Sequence, residues 1–154
     1  MVYNSEPFEN WKSFSVSSET YYCHGTNSVQ DVKNIIRNRI STACNTNGVG
    51  SLGRGLYANR FIDKDHFDNG YTFMIVFKPA RQLFGYTVSE HDYALGKNDK
   101  TVISRFEAQL GNTDFYNFED EYVFHESAKI DILDIIDLSN KGHHYSEQAF
   151  LNLP

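Results

Sequence analysis

The sequence has few cysteines and no excess of positive charge, and each shortage excludes a class of protein. Its two cysteines, Cys23 and Cys44, form no CxxC pair and lack neighbouring His and Cys at the spacing of a zinc site. We therefore expect two unpaired thiols rather than a metal site, although a single disulfide stays open because spacing does not decide it. The net charge of -6 provides no overall positive field for binding phosphate backbones.

Long apolar runs are also missing. No segment approaches the roughly 20 apolar residues that span a membrane as a helix. Residues 1–10 have neither the basic start nor the apolar stretch of a secretion signal. We expect a soluble chain that does not insert into a membrane and that carries no secretion signal of its own.

Aromatic residues, by contrast, are abundant. Phe, Tyr and Trp together make up 15% of the 154 residues, a share typical of small domains with sheet cores or stacking pockets. A chain of this length can bury one sizeable core and has little room for a second. We predict a single α+β domain over residues 1–154, with more strand than helix, a lead-in segment over 1–18 and a C-terminal tail over 139–154.

The first regular elements are predicted near the N-terminus. The aromatic segment Thr20 to Cys23 favours a strand, and Gly25 favours a turn after it. Ser28 followed three residues later by Asp31 is a helix-start signal. Apolar residues at three- and four-residue steps then predict a helix from Val29 to Ile40. Further elements are a loop over 41–55, a short apolar segment over 56–58, strands over 71–77, 122–124 and 130–138, and a helix containing Val102, Ile103, Phe106 and Leu110.

The glycine-rich part of the loop contains a misleading motif. Gly48, Gly50 and Gly53 spell GxGxxG, the fingerprint of dinucleotide-binding Rossmann folds. That motif follows a strand and opens a helix, whereas here the preceding residues are polar and the following ones resemble a strand. We interpret this stretch as a flexible glycine loop instead.

Three short segments carry a combination of residues with chemical meaning. They read Tyr-Cys-His-Gly-Thr at 22–26, Gly-Arg-Gly-Leu-Tyr-Ala at 53–58 and Asp-Glu-Tyr-Val-Phe at 120–124. The His, Tyr and Glu of these segments match, in residue type and in order, the three-residue H-Y-E signature of an enzyme family. In these motifs the chain resembles the ADP-ribosyltransferases of the diphtheria-toxin and PARP type, and the resemblance covers residues 21–138 in outline.

This resemblance implies a fold, a reaction and partners. The fold is the ADP-ribosyltransferase fold, in which mixed, mainly antiparallel sheets form a split-sheet core around an NAD cleft. The reaction uses NAD⁺ as substrate, releases nicotinamide and transfers one ADP-ribose unit to a macromolecular acceptor, and the acidic surface favours a protein acceptor. A catalytic core of this size resembles bacterial toxin or effector domains that act in the cytoplasm of a target cell, for which an immunity or inhibitor protein is a further expected partner.

The chemistry explains why these residue types are needed. Breaking the nicotinamide–ribose bond develops positive charge on the sugar, as in glycoside hydrolysis, but the leaving group departs neutral and needs no general acid. One carboxylate can stabilise that charge, and the resemblance assigns this role to Glu121. It further assigns the adenosine-side ribose to His24, close approach of the nicotinamide carboxamide to the backbone of Gly25 with Thr26 beside it, and stacking on the nicotinamide ring to Tyr57.

Two further positions are less well defined. The family usually has a second aromatic that sandwiches the nicotinamide, and we favour Phe67 over the more distant Tyr71, with a core position for Phe67 as the alternative. Glu119 lies two residues before Glu121, like the paired acids of arginine-modifying toxins, but the other motifs of that class are absent. We therefore treat Glu119 as an acceptor-side candidate.

The remaining histidines do not indicate a metal. His125 follows the glutamate strand, and His143 and His144 are adjacent near the C-terminus. His143 and His144 have no carboxylate or cysteine at ligand spacing, and we predict no metal site and no metal cofactor.

Alternative functions share the same residues. An NAD⁺ glycohydrolase needs the same site with water as the acceptor, and the sequence does not separate it from a transferase. A catalytically silent module could keep the cleft to bind NAD, ADP-ribose or a protein, but the intact Glu121 argues against it. An RNA 2′-phosphotransferase shares the scaffold, yet it should show several basic residues around the phosphate, and the acidic balance disfavours it.

Overall fold

The structure is a computed structural model that describes residues 10–41, 52–61, 70–96, 113–139 and 142–154. The strands in these ranges are β1 (Lys12–Val16), β2 (Tyr22–Thr26), β3 (Leu56–Arg60), β4 (Phe73–Pro79), β5 (Leu83–Thr87), β6 (Phe115–Phe118), β7 (Glu121–Phe124), β8 (Ile130–Asp137) and β9 (His143–Tyr145). The helices are α1 (Val29–Asn38), α2 (Glu90–Gly96) and α3 (Glu147–Leu151).

The nine strands form one hydrogen-bonded sheet in the order β1-β5-β6-β7-β3-β2-β4-β8-β9. Every neighbouring pair is antiparallel except β5 and β6, which are parallel. The α+β class and the mainly antiparallel sheet predicted from the sequence are therefore confirmed.

The centre of the sheet is held by an unusually short pairing. β2 and β3 are joined through only two residue pairs, Tyr22 with Arg60 and Cys23 with Asn59. Beyond them β2 stays paired with β4 as far as Thr26, while β3 stays paired with β7 as far as Leu56. The two halves of the sheet therefore share a joint at one end of β2 and β3 and have no ladder between them at the other end.

Side chains alternate between the two faces of the strands, and each face has its own core. On one face the helices α1 and α3 bury Val32, Ile35 and Phe150 against strand residues such as Tyr22 and Phe124. On the other face lie two smaller clusters. One contains Cys23, Met74, Val76 and Ile136, and the other contains Leu52, Val88, Tyr116 and Val123.

Helix α1 begins where the sequence predicts. The hydroxyl of Ser28 accepts a hydrogen bond from the backbone N–H of Asp31 at 3.1 Å, which satisfies one of the free donors of the first turn. The helix ends at Asn38, two residues earlier than predicted, because Arg39 leaves the helical conformation with a positive φ of 56°. Ile40 is nevertheless buried beyond the helix end.

The strands predicted over 71–77, 122–124 and 130–138 correspond to β4, β7 and β8, so these predictions are confirmed, and the short apolar segment over 56–58 lies in β3. The turn predicted at Gly25 is wrong, because Gly25 lies inside β2 and pairs with Met74 of β4. The predicted lead-in over 1–18 and the predicted tail over 139–154 both contain regular elements. Residues 12–16 form the edge strand β1, and the C-terminal residues form β9 and α3, whose Phe150 is fully buried.

Several sequence predictions fall outside the described residues. These are the helix around residues 102–110, most of the loop over 41–55 with Gly48 and Gly50, Cys44, and the favoured stacking residue Phe67. The elements β5, α2 and β6, by contrast, are described and have no counterpart in the predicted outline.

Candidate functional site

A cavity of about 600 Å³ lies where the ladder between β2 and β3 ends. Its volume is within the range of small-molecule sites in proteins. His24, Gly25, Tyr57 and Glu121 all line it, so one residue or more from each of the three sequence motifs meets here.

His24 bridges the two halves of the sheet at this point. Its Nδ1 lies 2.6 Å from the carbonyl oxygen of Tyr57 on β3, and its Nε2 lies 3.2 Å from Oδ2 of Asp31 on α1. Both partners are acceptors, so a ring that carries a proton on each nitrogen donates to both. The side chains of His24 and Asp31 are only 18% and 14% exposed, and solvent screens the pair weakly. The imidazole thus supplies a hydrogen bond where the ladder stops.

Asp31 is a site residue that sequence reasoning used only as part of a helix start. Burial raises the pKa of its carboxyl, but the hydrogen bond and charge of His24, with a hydrogen bond from Thr26, outweigh burial, and the pKa lies below its ordinary value. The carboxylate is therefore a fixed negative partner for His24. An acid in the first turn of a helix that follows a His-Gly strand was the available signal.

Tyr57 is fixed by its hydroxyl. The phenol donates to the carbonyl of Gly53 and accepts a hydrogen bond from the backbone N–H of Leu52 at 3.1 Å. The second glycine of the motif has a packing role. A Cβ on Gly55 would lie 2.6 Å from the carbonyl oxygen of Phe124 on β7, so only glycine permits this approach. The Gly-x-Gly-x-Tyr pattern therefore both closes β3 onto β7 and anchors the tyrosine.

Glu121 opens β7 directly after a tight turn. Glu119 in this turn has a left-handed φ of 53°. The amide of Asn117 donates to the carbonyl oxygens of Glu119 at 2.9 Å and Glu121 at 3.2 Å, and the amide of Asn59 donates to the carbonyl of Asp120 at 3.0 Å. The turn that carries the glutamate is therefore tied to both β6 and β3.

Tyr93 is a second residue that the sequence did not reveal. It lies on α2, lines the cavity, and its hydroxyl donates to Oε2 of Glu121. Its ring stacks on Phe118, with centroids 4.1 Å apart and planes 14° apart. Tyr93 and Glu121 are 28 residues apart in the chain, and the pairing of β5 with β6 and of β6 with β7 brings them together.

The backbone at Gly25 is covered by an aromatic ring. A Cβ on Gly25 would lie 2.4 Å from a ring carbon of Tyr71, which is itself 46% exposed and lines the cavity. Tyr71, the less favoured candidate for the second aromatic, is thus at the cavity, whereas Phe67 lies outside the described residues. Thr26 is not among the cavity-lining residues, and its hydroxyl accepts from the backbone N–H of Ser28 at 3.2 Å.

Cys23 lines the cavity but is not set up as a nucleophile. The cysteine is a free thiol in the structure, and its Sγ donates to the carbonyl of Asn59 at 3.5 Å. Burial raises the pKa of the Cys23 thiol to about 12. The thiol therefore stays protonated, and a thiolate is the reactive form of cysteine.

Within the described residues, no group of three or more His, Cys, Asp or Glu side chains could hold a metal ion. His144 instead pairs with Asp134 at 2.6 Å, and His143 packs against the ring of Tyr145. In the same part of the chain, no helix has the length and apolar character needed to cross a membrane.

Comparison of the chain with protein-family models, with curated proteins and with solved structures finds no match. The case for a function therefore depends on the cavity and on the three motifs that line it.

Proposed function

We propose that this protein is an NAD⁺-dependent ADP-ribosyltransferase whose active site is the cavity at the joint between β2 and β3. The observation that carries the proposal is the convergence of His24, Tyr57 and Glu121 in one cavity. They come from three separate strands, and they are the three residues that the H-Y-E resemblance names.

The fold of the same proposal is the ADP-ribosyltransferase fold. Its split core requires two sheet halves that part around a cleft, and the two-pair joint between β2 and β3 agrees with that requirement. The cavity begins where this joint ends, with β2 on one side and β3 and β7 on the other.

In the proposed reaction, nicotinamide lies against Tyr57, and Tyr71 supplies the second aromatic wall over Gly25. His24 holds the adenosine-side ribose, with Asp31 and the Tyr57 carbonyl fixing its ring. The bond between C1′ of the second ribose and the nicotinamide nitrogen breaks, and its electron pair leaves with nicotinamide. Glu121 stabilises the positive charge that develops on the sugar.

The acceptor completes the reaction. Its nucleophilic atom forms the new bond to C1′, and its proton passes to Glu121 and then to solvent. We propose a protein as the acceptor, a single ADP-ribose unit as the modification, and a toxin or effector role for the protein, with an immunity or inhibitor protein as a further partner. These parts of the proposal are carried by the resemblance and by the acidic net charge of -6.

The test is release of nicotinamide from NAD⁺ by the wild type and by Glu121→Gln, with and without cell lysate. The variant keeps the shape of the side chain and removes its charge, so turnover should fall about 10²- to 10³-fold, the loss typical of removing one group that stabilises a transition-state charge. Glu126→Gln is the matched control, because Glu126 is exposed just beyond the same strand.

Release that depends on Glu121, with labelled ADP-ribose on a macromolecule, supports the transferase. Release without labelling assigns the site to an NAD⁺ glycohydrolase instead. NAD⁺ binding without release favours the silent binding module, and turnover retained by Glu121→Gln contradicts the proposed mechanism.

A further inference from the structure

The phenol of Tyr93 occupies one side of the Glu121 carboxylate. Its hydroxyl donates to Oε2, while its ring lies flat on Phe118 at the wall of the cavity. Glu121 and Tyr93 both line the cavity, so the contact lies within the site rather than behind it.

Helix α2 holds Tyr93 in this place. The carboxylate of Asp92, the preceding residue, is buried and accepts a hydrogen bond from the indole N–H of Trp11 at 2.7 Å. The hydroxyl of Ser89 accepts from the backbone N–H of Asp92 at 3.2 Å, which fixes the start of the helix. The ring of Tyr93 therefore has support from the N-terminal segment, from α2 and from Phe118.

The position of the hydroxyl matters for the proposed reaction, on which this inference rests. An acceptor nucleophile must reach C1′ beside Glu121 and give its proton to that carboxylate. The Tyr93 hydroxyl already binds Oε2 of that carboxylate. In the proposed reaction a nucleophile that docks at this oxygen must displace the phenol, while Oε1 faces the ribose. We infer that Tyr93 is a specificity-determining residue that keeps water from the acceptor side of Glu121.

Water and a macromolecular acceptor differ in their ability to displace the phenol. A water molecule exchanges one hydrogen bond for another and has no remote contacts to offset the loss of the Tyr93 contact. A macromolecule brings binding energy from surfaces outside the reacting centre, and that energy can drive the rearrangement. The acceptor therefore gains access to Oε2, while hydrolysis of NAD⁺ is suppressed.

Tyr93→Phe is the decisive variant, because it keeps the stack on Phe118 and removes only the hydroxyl. Nicotinamide release without acceptor should rise about tenfold, in line with the loss of one hydrogen bond to a charged group. The ratio of nicotinamide released to ADP-ribose transferred in lysate should rise as well, and the KM for NAD⁺ should stay within about twofold, since Tyr93 acts on the acceptor side.

Tyr86→Phe is the matched control. Tyr86 on β5 packs against Trp11 with ring centroids 6.3 Å apart and is not among the residues that line the cavity. The ratio of release to transfer should not change in this variant. Because the ratio is measured within one sample, a smaller folded fraction lowers both quantities together and does not mimic the expected effect.

An unchanged ratio in Tyr93→Phe, or a wild type that hydrolyses NAD⁺ as fast as this variant, overturns the inference. A parallel fall in release and labelling, in a variant whose circular dichroism shows the same folded fraction as the wild type, also overturns it, because Tyr93 would then orient Glu121 rather than exclude water. If the wild type itself shows no release that depends on Glu121, the proposed function fails first, and this result is recognised before any Tyr93 variant is compared.

Discussion

At the scale of single residues, His24 combines an observed structural role with a proposed chemical one. Nδ1 of its ring makes a hydrogen bond to the carbonyl of Tyr57, where the backbone ladder between β2 and β3 has ended. Nε2 makes a hydrogen bond to Asp31 on α1. The residue that is proposed to hold a ribose thus also joins two strands and a helix, and we call these two contacts the clamp. A substitution of His24 changes both roles at once, whereas Asp31 allows the clamp to be tested separately.

Neutralising Asp31 should lower the stability of the fold at neutral pH. Asp31→Asn keeps the size of the side chain but loses the ionised acceptor, and a hydrogen bond to a charged group contributes about 1.5–3 kcal/mol. The folded-state pKa of Asp31 is lowered, so its contribution is present above the unfolded value of about 3.8 and is lost as pH falls through the folded value. Urea unfolding at pH 7 and pH 3 measures the difference, which should shrink at the lower pH.

Asp131→Asn provides the control for this measurement, because Asp131 is exposed on β8 and its replacement removes the same charge from the surface. A loss of stability in Asp31→Asn no larger than in this control would show that the contact with His24 contributes nothing to the fold.

At the scale of elements, the turn between β6 and β7 positions Glu121, and one residue of this turn has a strained backbone conformation. Glu119 lies in the left-handed region, which a side chain with a Cβ adopts at a cost of about 1–2 kcal/mol. The amides of Asn117 and Asn59 hold the turn from both sides through its carbonyl groups. The strain is therefore maintained by two side chains outside the turn.

Replacing Glu119 by a residue that tolerates this conformation should stabilise the protein. Asparagine enters the left-handed region more readily than glutamate, so we expect Glu119→Asn to raise the free energy of unfolding by about 0.5–1 kcal/mol. Glu119→Ala removes the same carboxylate but not the conformational strain, and it should not gain this stability. Chemical denaturation of both variants checks the difference, and equal stability of the two would mean that backbone strain is not the cause.

The sequence predicts some of these elements and not others for physical reasons. Helix α1 has apolar residues at a helical period, and β7 and β8 are rich in aromatic or β-branched residues, so the type and the approximate place of all three are correct. Strands β1 and β9 are short and mostly polar, so the sheet around them rather than their own pattern decides their structure. The predicted turn at Gly25 is wrong, because the pairing of this residue with β4 outweighs the turn preference of glycine.

The candidate site was likewise predicted in part. The motifs predict that His24, Tyr57 and Glu121 act together, and all three line one cavity. Asp31 was missed although its place in the first turn of the helix after the His-Gly strand was a local signal, and Tyr93 was missed because its contact with Glu121 has no local pattern. Tyr93 meets Glu121 through the parallel pairing of β5 with β6, which places the segment after β5 beside the turn that carries Glu121, and through the pairing of β6 with β7.

At the scale of the whole molecule, a buried histidine makes stability depend on pH. His125 is 2% exposed, its Nδ1 lies 3.2 Å from the carbonyl of Thr113, and its Nε2 has no hydrogen-bond partner within the described residues. Burial lowers the pKa of His125 to about 4, despite the opposing effects of the Thr113 carbonyl and of Asp114. The folded protein therefore holds this ring neutral.

Stability should fall as the solution is acidified below the ordinary pKa of histidine. The unfolded chain binds a proton at His125 near pH 6.5, and the folded chain only near pH 4, so the stability present above pH 6.5 is lost between these values. Between pH 7 and pH 5 the loss should be about 2 kcal/mol, and it should be absent in His125→Phe. Denaturant unfolding at the two pH values measures it.

His91 on α2 is exposed and gives the matched control, since His91→Phe should leave the pH dependence of the wild type in place. If His125→Phe loses as much stability on acidification as the wild type does, the dependence arises from other groups. Asp31 and Asp114 lose their contributions to stability only at lower pH, because the pKa of each carboxyl lies below its ordinary value.

The order of the strands also determines when each one finds its neighbours during synthesis. β3 is made early, but its neighbour β7 follows much later, since Asn59 and Asp120 are 61 residues apart. Until β7 emerges from the ribosome, one edge of β3 exposes unpaired backbone groups that can pair with another chain. Truncated products that stop before Glu121 therefore combine an incomplete site with an open strand edge, and they are the species most exposed to aggregation and to proteolytic clearance.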